Sequence, residues 1–174
     1  SSHITKKVAD KLAEIFKSNR EDFEQKWDDI KLFIQYGMLS DEKFYDRAIG
    51  FALLKNLDSK YFTFEEYKAQ VKEAQTDKNG DLIILYAQDA DASYAYIQRA
   101  KEKGYDVLLM DGELDVHAMS QLEQKSYEGT DGSKLAIRFV RVDSDVIENI
   151  IQKEDKAAVT LTENEENALR YTFE

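Results

Sequence analysis

The chain predicts an α/β fold: an N-terminal helical segment followed by a small three-layer αβα subdomain, built as βαβαβ with a parallel sheet. Two observations carry that reading. Apolar residues recur at helical spacing through the first 75 residues. The pattern then changes to short, continuous apolar runs at 82–86, 107–110 and 135–142, separated by helical segments, as expected for buried parallel strands with crossover helices. A third observation is the punctuation. The chain has no proline, so its seven glycines and its short polar residues must mark the breaks.

The elements follow in order. In residues 4–17, Ile4, Val8, Leu12 and Ile15 share one helical face. In residues 20–36, Phe23, Trp27, Ile30 and Ile34 do the same, with Gly37 read as the C-terminal cap. Ser40 is read as the N-cap of a third helix, with Asp41 and Glu42 in its first turn and Phe44, Ala48, Phe51 and Leu54 running towards Asn56. Thr63-Phe64-Glu65-Glu66 has the form of a capping box, flanked by Phe62 and Tyr67 as a hydrophobic staple, and opens a short helix to about Lys72. The crossovers are residues 90–103, with Ala90, Tyr94, Ile97 and Ala100 or Lys101 on one side, and about 113–125. A right-handed layer of three strands is expected. Val146, Ile147, Ile150 and Ile151 predict a final amphipathic helix, followed by a linker at 154–158. Thr162 to Glu165 then starts another capping box that the chain end interrupts, which implies a piece of a longer protein.

Composition narrows the function classes. Net charge is −11, from 35 acidic and 24 basic residues, which disfavours nucleic acid and anionic membranes as partners. With no cysteine, a disulfide framework, a thiolate metal site and a cysteine nucleophile are all excluded. No apolar stretch approaches the length of about 18 residues needed to span a bilayer, and no signal peptide is read at the start, so a cytoplasmic location is expected. The two histidines, His3 and His117, are too few and too far apart for a zinc site or a nucleophile-base pair. Asp77-Lys78-Asn79-Gly80-Asp81 resembles the opening of a calcium loop, but its twelfth position is Gln88, so a turn before a strand explains it better. No glycine-rich phosphate loop is present. Catalytic, cofactor-binding and metal-binding residues are therefore predicted to be absent.

One motif offers an alternative. Gly104-Tyr105-Asp106-Val107-Leu108-Leu109-Met110-Asp111 is similar to the phospho-acceptor strand of a receiver-like signalling domain, with Asp111 as acceptor and Asp89 and Asp91 as the metal-holding pair. Receivers insert a further βα unit between those positions, and here there is room for a single crossover helix. As plain helix caps, Asp89 and Asp91 need no metal.

Four segments, in order, resemble the middle region of heat-shock protein 90 chaperones, in their bacterial HtpG-like branch. They are Lys7-Val8-Ala9-Asp10-Lys11-Leu12 with Phe23, Trp27 and Gly37; Phe51-Ala52-Leu53-Leu54-Lys55 with Thr63-Phe64-Glu65-Glu66-Tyr67 and Val71-Lys72-Glu73-Ala74-Gln75; Leu82-Ile83-Ile84-Leu85-Tyr86-Ala87; and Lys103 to Met110 with Leu114, Asp115 and Leu122. Gly132-Ser133-Lys134-Leu135 is similar to the family's turn before its third strand. The resemblance divides the chain into a helical coil segment of the middle domain (1–75), the small αβα subdomain (76–153), and a linker with the start of the dimerisation domain (154–174). It implies a homodimeric, ATP-dependent chaperone that uses ATP and Mg and acts on unfolded or partly folded client proteins. The ATP site lies outside this chain, which by itself is not an enzyme. The family's client-facing segment maps onto Asp115 to Leu122 and implies Val116, His117, Met119 and Gln121 as client-binding residues. Here His117 stands where the family has a bulky aromatic and Ala118 where it has a second methionine, so the apolar surface is reduced.

Overall fold

Short polar side chains divide the N-terminal half into helices. The computed structural model describes residues 2–128 and 136–144. Helix α1 (Ser2–Ser18) meets α2 (Arg20–Ser40) at Asn19, whose side chain accepts from the Asp22 amide as an N-cap. Asp41 separates α2 from α3 (Glu42–Ala48), its carboxylate accepting from the Lys43 and Phe44 amides. The cap is therefore Asp41 rather than Ser40. Nor does Gly37 end α2, which continues through it to Ser40. Gly37 serves packing instead: a Cβ there would lie 2.8 Å from the Phe44 ring, which would have to shift. The buried stripe of α1 also differs from expectation. Ala9 is fully buried and Val8, Leu12, Ile15 and Phe16 pack on the core, whereas Ile4 is exposed.

The third helix stops well short of Asn56. The Phe51 and Ala52 amides both bond back to the Ala48 carbonyl and close it. The chain then forms an antiparallel hairpin of β1 (Leu53–Lys55) and β2 (Tyr61–Thr63), with Leu53 opposite Thr63. Asn56 supplies the reason, since its side-chain oxygen accepts from the Asp58 and Lys60 amides and stabilises a turn that competes with helix. Helix α4 (Phe64–Val71) begins with the predicted capping box, Thr63 and Glu66 each serving the other's backbone amide. The Phe62 and Tyr67 rings of the staple meet edge-on at 5.2 Å.

Strand β3 (Leu82–Ala87), helix α5 (Tyr94–Glu102), strand β4 (Val107–Leu109), helix α6 (Asp115–Glu128) and strand β5 (Ile137–Arg141) make the βαβαβ unit. The sheet order is β4-β3-β5, with β3 parallel to both neighbours. Leu82, Ile83, Ile84 and Leu85 are all buried, so β3 is covered on both faces, as its unbroken apolar run predicts. Side chains alternate across the strand. Leu82, Ile84, Leu108 and Ile137 join the core of α1–α4 and α6, while Ile83, Leu85, Val107 and Val140 form a second core with Ile97 and Ala100 of α5. Tyr94, expected on that inner side, is exposed. The first core therefore runs without a break from the helical segment into the sheet.

Polar bonds reinforce this junction at Asp106. Its carboxylate accepts from the Tyr67 hydroxyl (2.9 Å) and the Asn56 amide (3.1 Å), and its own backbone amide donates to Gln75 (2.8 Å). Burial raises the Asp106 carboxyl above its usual range and pushes the Tyr67 hydroxyl well up. The turn before β3 forms as expected, with Asp77 accepting from the Asn79 and Asp81 amides. The turn at Gly132 to Leu135, the helix around Val146, Ile147, Ile150 and Ile151, and all of residues 154–174 lie outside the described residues.

Candidate functional site

The predicted client-facing residues sit at the start of α6, and a buried carboxylate fixes their position. Asp115, the first residue of α6, is 1% exposed. It accepts from Lys31 Nζ at 2.9 Å, Gln35 Nε2 at 2.8 Å and the Gly112 amide at 2.7 Å. Lys31 and Gln35 are four apart on α2 and so point to the same side of that helix. A Cβ at Gly112 would lie 3.0 Å from both Lys31 Nζ and Asp115 Oδ2, so a larger residue there would push against this pair. Lower down, Gln121 Nε2 donates to the Met38 carbonyl at 2.8 Å, a second tie between α6 and α2.

Helical geometry then sorts the candidate residues. Asp115, Met119 and Leu122 lie on the inward stripe and are buried, Met119 at 4% exposure. Val116 (49%) and His117 point outward and are exposed. Met119 is thus a core residue of this fold, not part of a presented patch, while Gln121 is half-buried and holds the helix in place. A cleft of about 280 Å³ opens beside this junction, lined by Trp27, Lys31, Gln35, Met110, Asp111 and Met119 among others.

Exposed apolar side chains also gather on the outer face of α2, which the sequence reading overlooked. Leu32, Phe33 and Tyr36 are 49%, 61% and 66% exposed. The legible signal was an excess: with Ile30, Ile34, Met38 and Leu39 beside them, α2 carries more apolar residues than one core-facing stripe can bury.

The receiver-like arrangement finds no support. Asp89 accepts from the Asp91 and Ala92 amides as a turn cap. Among the described residues, no group of three or more His, Cys, Asp or Glu side chains converges to hold a metal. No helix among the described residues is long and apolar enough to cross a membrane.

The family model described as Hsp90 protein matches residues 1–172. The chain is 52% identical over 174 residues to chaperone protein HtpG of Porphyromonas gingivalis, covering 100% of this chain and 24% of that protein. It is 52% identical over 173 residues to chaperone protein HtpG of Bacteroides fragilis, with 99% and 24% covered. It therefore spans about a quarter of the length of these curated relatives. In fold it is similar to the middle domain of a Plasmodium falciparum heat shock protein, with a TM-score of 0.60 at 15% identity, covering 82% of this chain and 56% of that one.

Proposed function

The chain belongs to the Hsp90 protein family, and on that premise we propose that it works as the scaffold and client-contact part of an ATP-dependent chaperone's middle domain. The observation that carries this is the match to HtpG chaperones along the whole chain, together with a fold similar to an Hsp90 middle domain. In this reading residues 1–75 are the helical coil of that domain, 76–153 its small αβα subdomain, and 154–174 the lead into a dimerisation domain. The longer protein is a cytoplasmic homodimer that binds and hydrolyses ATP with Mg. This piece supplies no catalytic group to that reaction.

Its own task is mechanical and adhesive. The continuous core and the Asp106 and Asp115 networks make the helical segment and the sheet move together, as a lever between neighbouring domains requires. Unfolded or partly folded clients meet the exposed start of α6 through Val116 and His117, with Gln121 positioning the helix. Few residues of such a surface each contribute more than about 1 kcal/mol.

The test is binding of a destabilised model protein to the purified chain, compared with Val116→Ser/His117→Ser. Weaker binding with unchanged thermal stability supports the reading; unchanged binding refutes the α6 assignment. ATP turnover by the purified chain would refute the non-enzymatic role.

A further inference from the structure

We propose that the client-contact surface continues from α6 onto the outer face of α2, where Leu32, Phe33 and Tyr36 beside Asp28 and Asp29 take polypeptide segments that combine apolar and basic side chains. This rests on reading the chain as a client-contact module.

The face is built from residues three and four apart: Asp29 with Leu32 and Phe33, then Leu32 and Phe33 with Tyr36. Among the described residues the remaining exposed large hydrophobics are Ile4, Tyr94, Tyr96 and Val116, and none of these helices gathers three within a single turn or so as α2 does. Isolated apolar residues on a surface need no explanation, whereas a contiguous patch marks a contact site.

Charge identifies the occupant. All cations of α2 are committed: Arg20 to Glu24 and Glu66, Lys26 to Asp22, and Lys31 to Asp115. Among the described residues Glu21 and Asp29 form no ion pair, and Asp28 meets Lys55 only at 3.6 Å with its side chain 63% exposed. An aromatic patch bordered by one unpaired acid, Asp29, and one exposed, loosely paired acid, Asp28, repels anionic membranes and nucleic acid. It suits lysine or arginine beside apolar groups, since the cation reaches the carboxylates or lies over the rings of Phe33 and Tyr36. The start of α6 is tied to the same stretch of α2: Lys31 and Gln35, sequence neighbours of Leu32 and Tyr36, both grip Asp115, which Val116 and His117 follow directly. One segment can thus contact both helices.

The experiment measures fluorescence anisotropy of two labelled peptides with the same apolar residues, one flanked by lysines and the other by glutamates. Wild-type chain is compared with Leu32→Ser/Phe33→Ser/Tyr36→Ser and with Asp28→Lys/Asp29→Lys. The expected result is about tenfold tighter binding of the lysine peptide, lost in the serine variant and inverted in the charge-reversed one. Circular dichroism confirms the fold, and the charge-reversed variant keeps the test open should the serine variant unfold. Equal affinity for both peptides, or undiminished binding by the serine variant, overturns the proposal. If Val116→Ser/His117→Ser abolishes binding while both α2 variants retain it, this extension fails and the chaperone reading stands. If wild type binds neither peptide nor an unfolded model protein, both fail.

Discussion

Replacing Asp115 by alanine takes away the acceptor on which Lys31, Gln35 and the Gly112 amide converge at 2.7–2.9 Å. The Lys31 side chain keeps 21% exposure, so its ammonium can rehydrate, and its share is about 1 kcal/mol. The Gln35 amide and the Gly112 N–H are half-buried and lose their partner, at about 1 kcal/mol each with water partly replacing it. The expected destabilisation is therefore about 3 kcal/mol, or a fall in Tm of about 6–12 °C. Lys31→Met leaves the buried carboxylate with two neutral donors and no cation, so it costs about 2 kcal/mol. Combined, the two changes cost less than their sum by about 1 kcal/mol, which is the coupling of the pair. Urea unfolding followed by circular dichroism, with the slope m unchanged, measures all three. A loss under about 0.5 kcal/mol for Asp115→Ala, or zero coupling, would refute the reasoning. The start of α6 would then be held by the packing of Met119 and Leu122 alone.

Gly37→Ala sets helix propensity against packing. Alanine gains about 1 kcal/mol in a helix interior, but its Cβ would lie 2.8 Å from the buried Phe44 ring, and such overpacking costs about 1–3 kcal/mol. A net loss of about 1 kcal/mol is expected in the same urea assay, and a stabilised variant would show that Phe44 yields freely. Stability also has an acid-side dependence from Glu66, whose carboxyl is held down at about 2, mainly by its hydrogen bond from Arg20. Because the folded value lies below the ordinary 4.5, this contribution is present above pH 4.5 and is lost as pH falls towards 2. With the Glu66 side chain 45% exposed, solvent screening limits it to about 1 kcal/mol. Urea midpoints between pH 6 and pH 3 should fall less steeply for Glu66→Gln than for wild type, and parallel curves would contradict the assignment.

Much of the fold was legible because its signals are local. The capping box at Thr63 and Glu66 needs only neighbouring residues, and the unbroken run from Leu82 to Leu85 is readable as a strand covered on both faces. The third helix misled for the opposite reason. Phe44, Ala48 and Phe51 continue a helical stripe, yet all three are buried in a core that β1 joins through Leu53, so a turn and hairpin fill the same apolar positions. At the candidate site, spacing separates Asp115, Met119 and Leu122 from Val116 and His117. It cannot say which stripe faces inward when each carries an apolar residue.

Sequence by itself determined the helices before residue 48, the capping box at Thr63, the change of period after residue 75, the parallel βαβαβ unit and the family. Each of these rests on periodicity, local capping or motif order, which are properties of neighbouring residues. Tertiary structure alone decided that Met119 belongs to the core, that Asp115 is gripped by α2 residues eighty or more positions earlier, and that Leu32, Phe33 and Tyr36 are left uncovered. The physical reason is that burial and ion pairing depend on which helix faces another across the core, and distant segments of the chain settle that choice together.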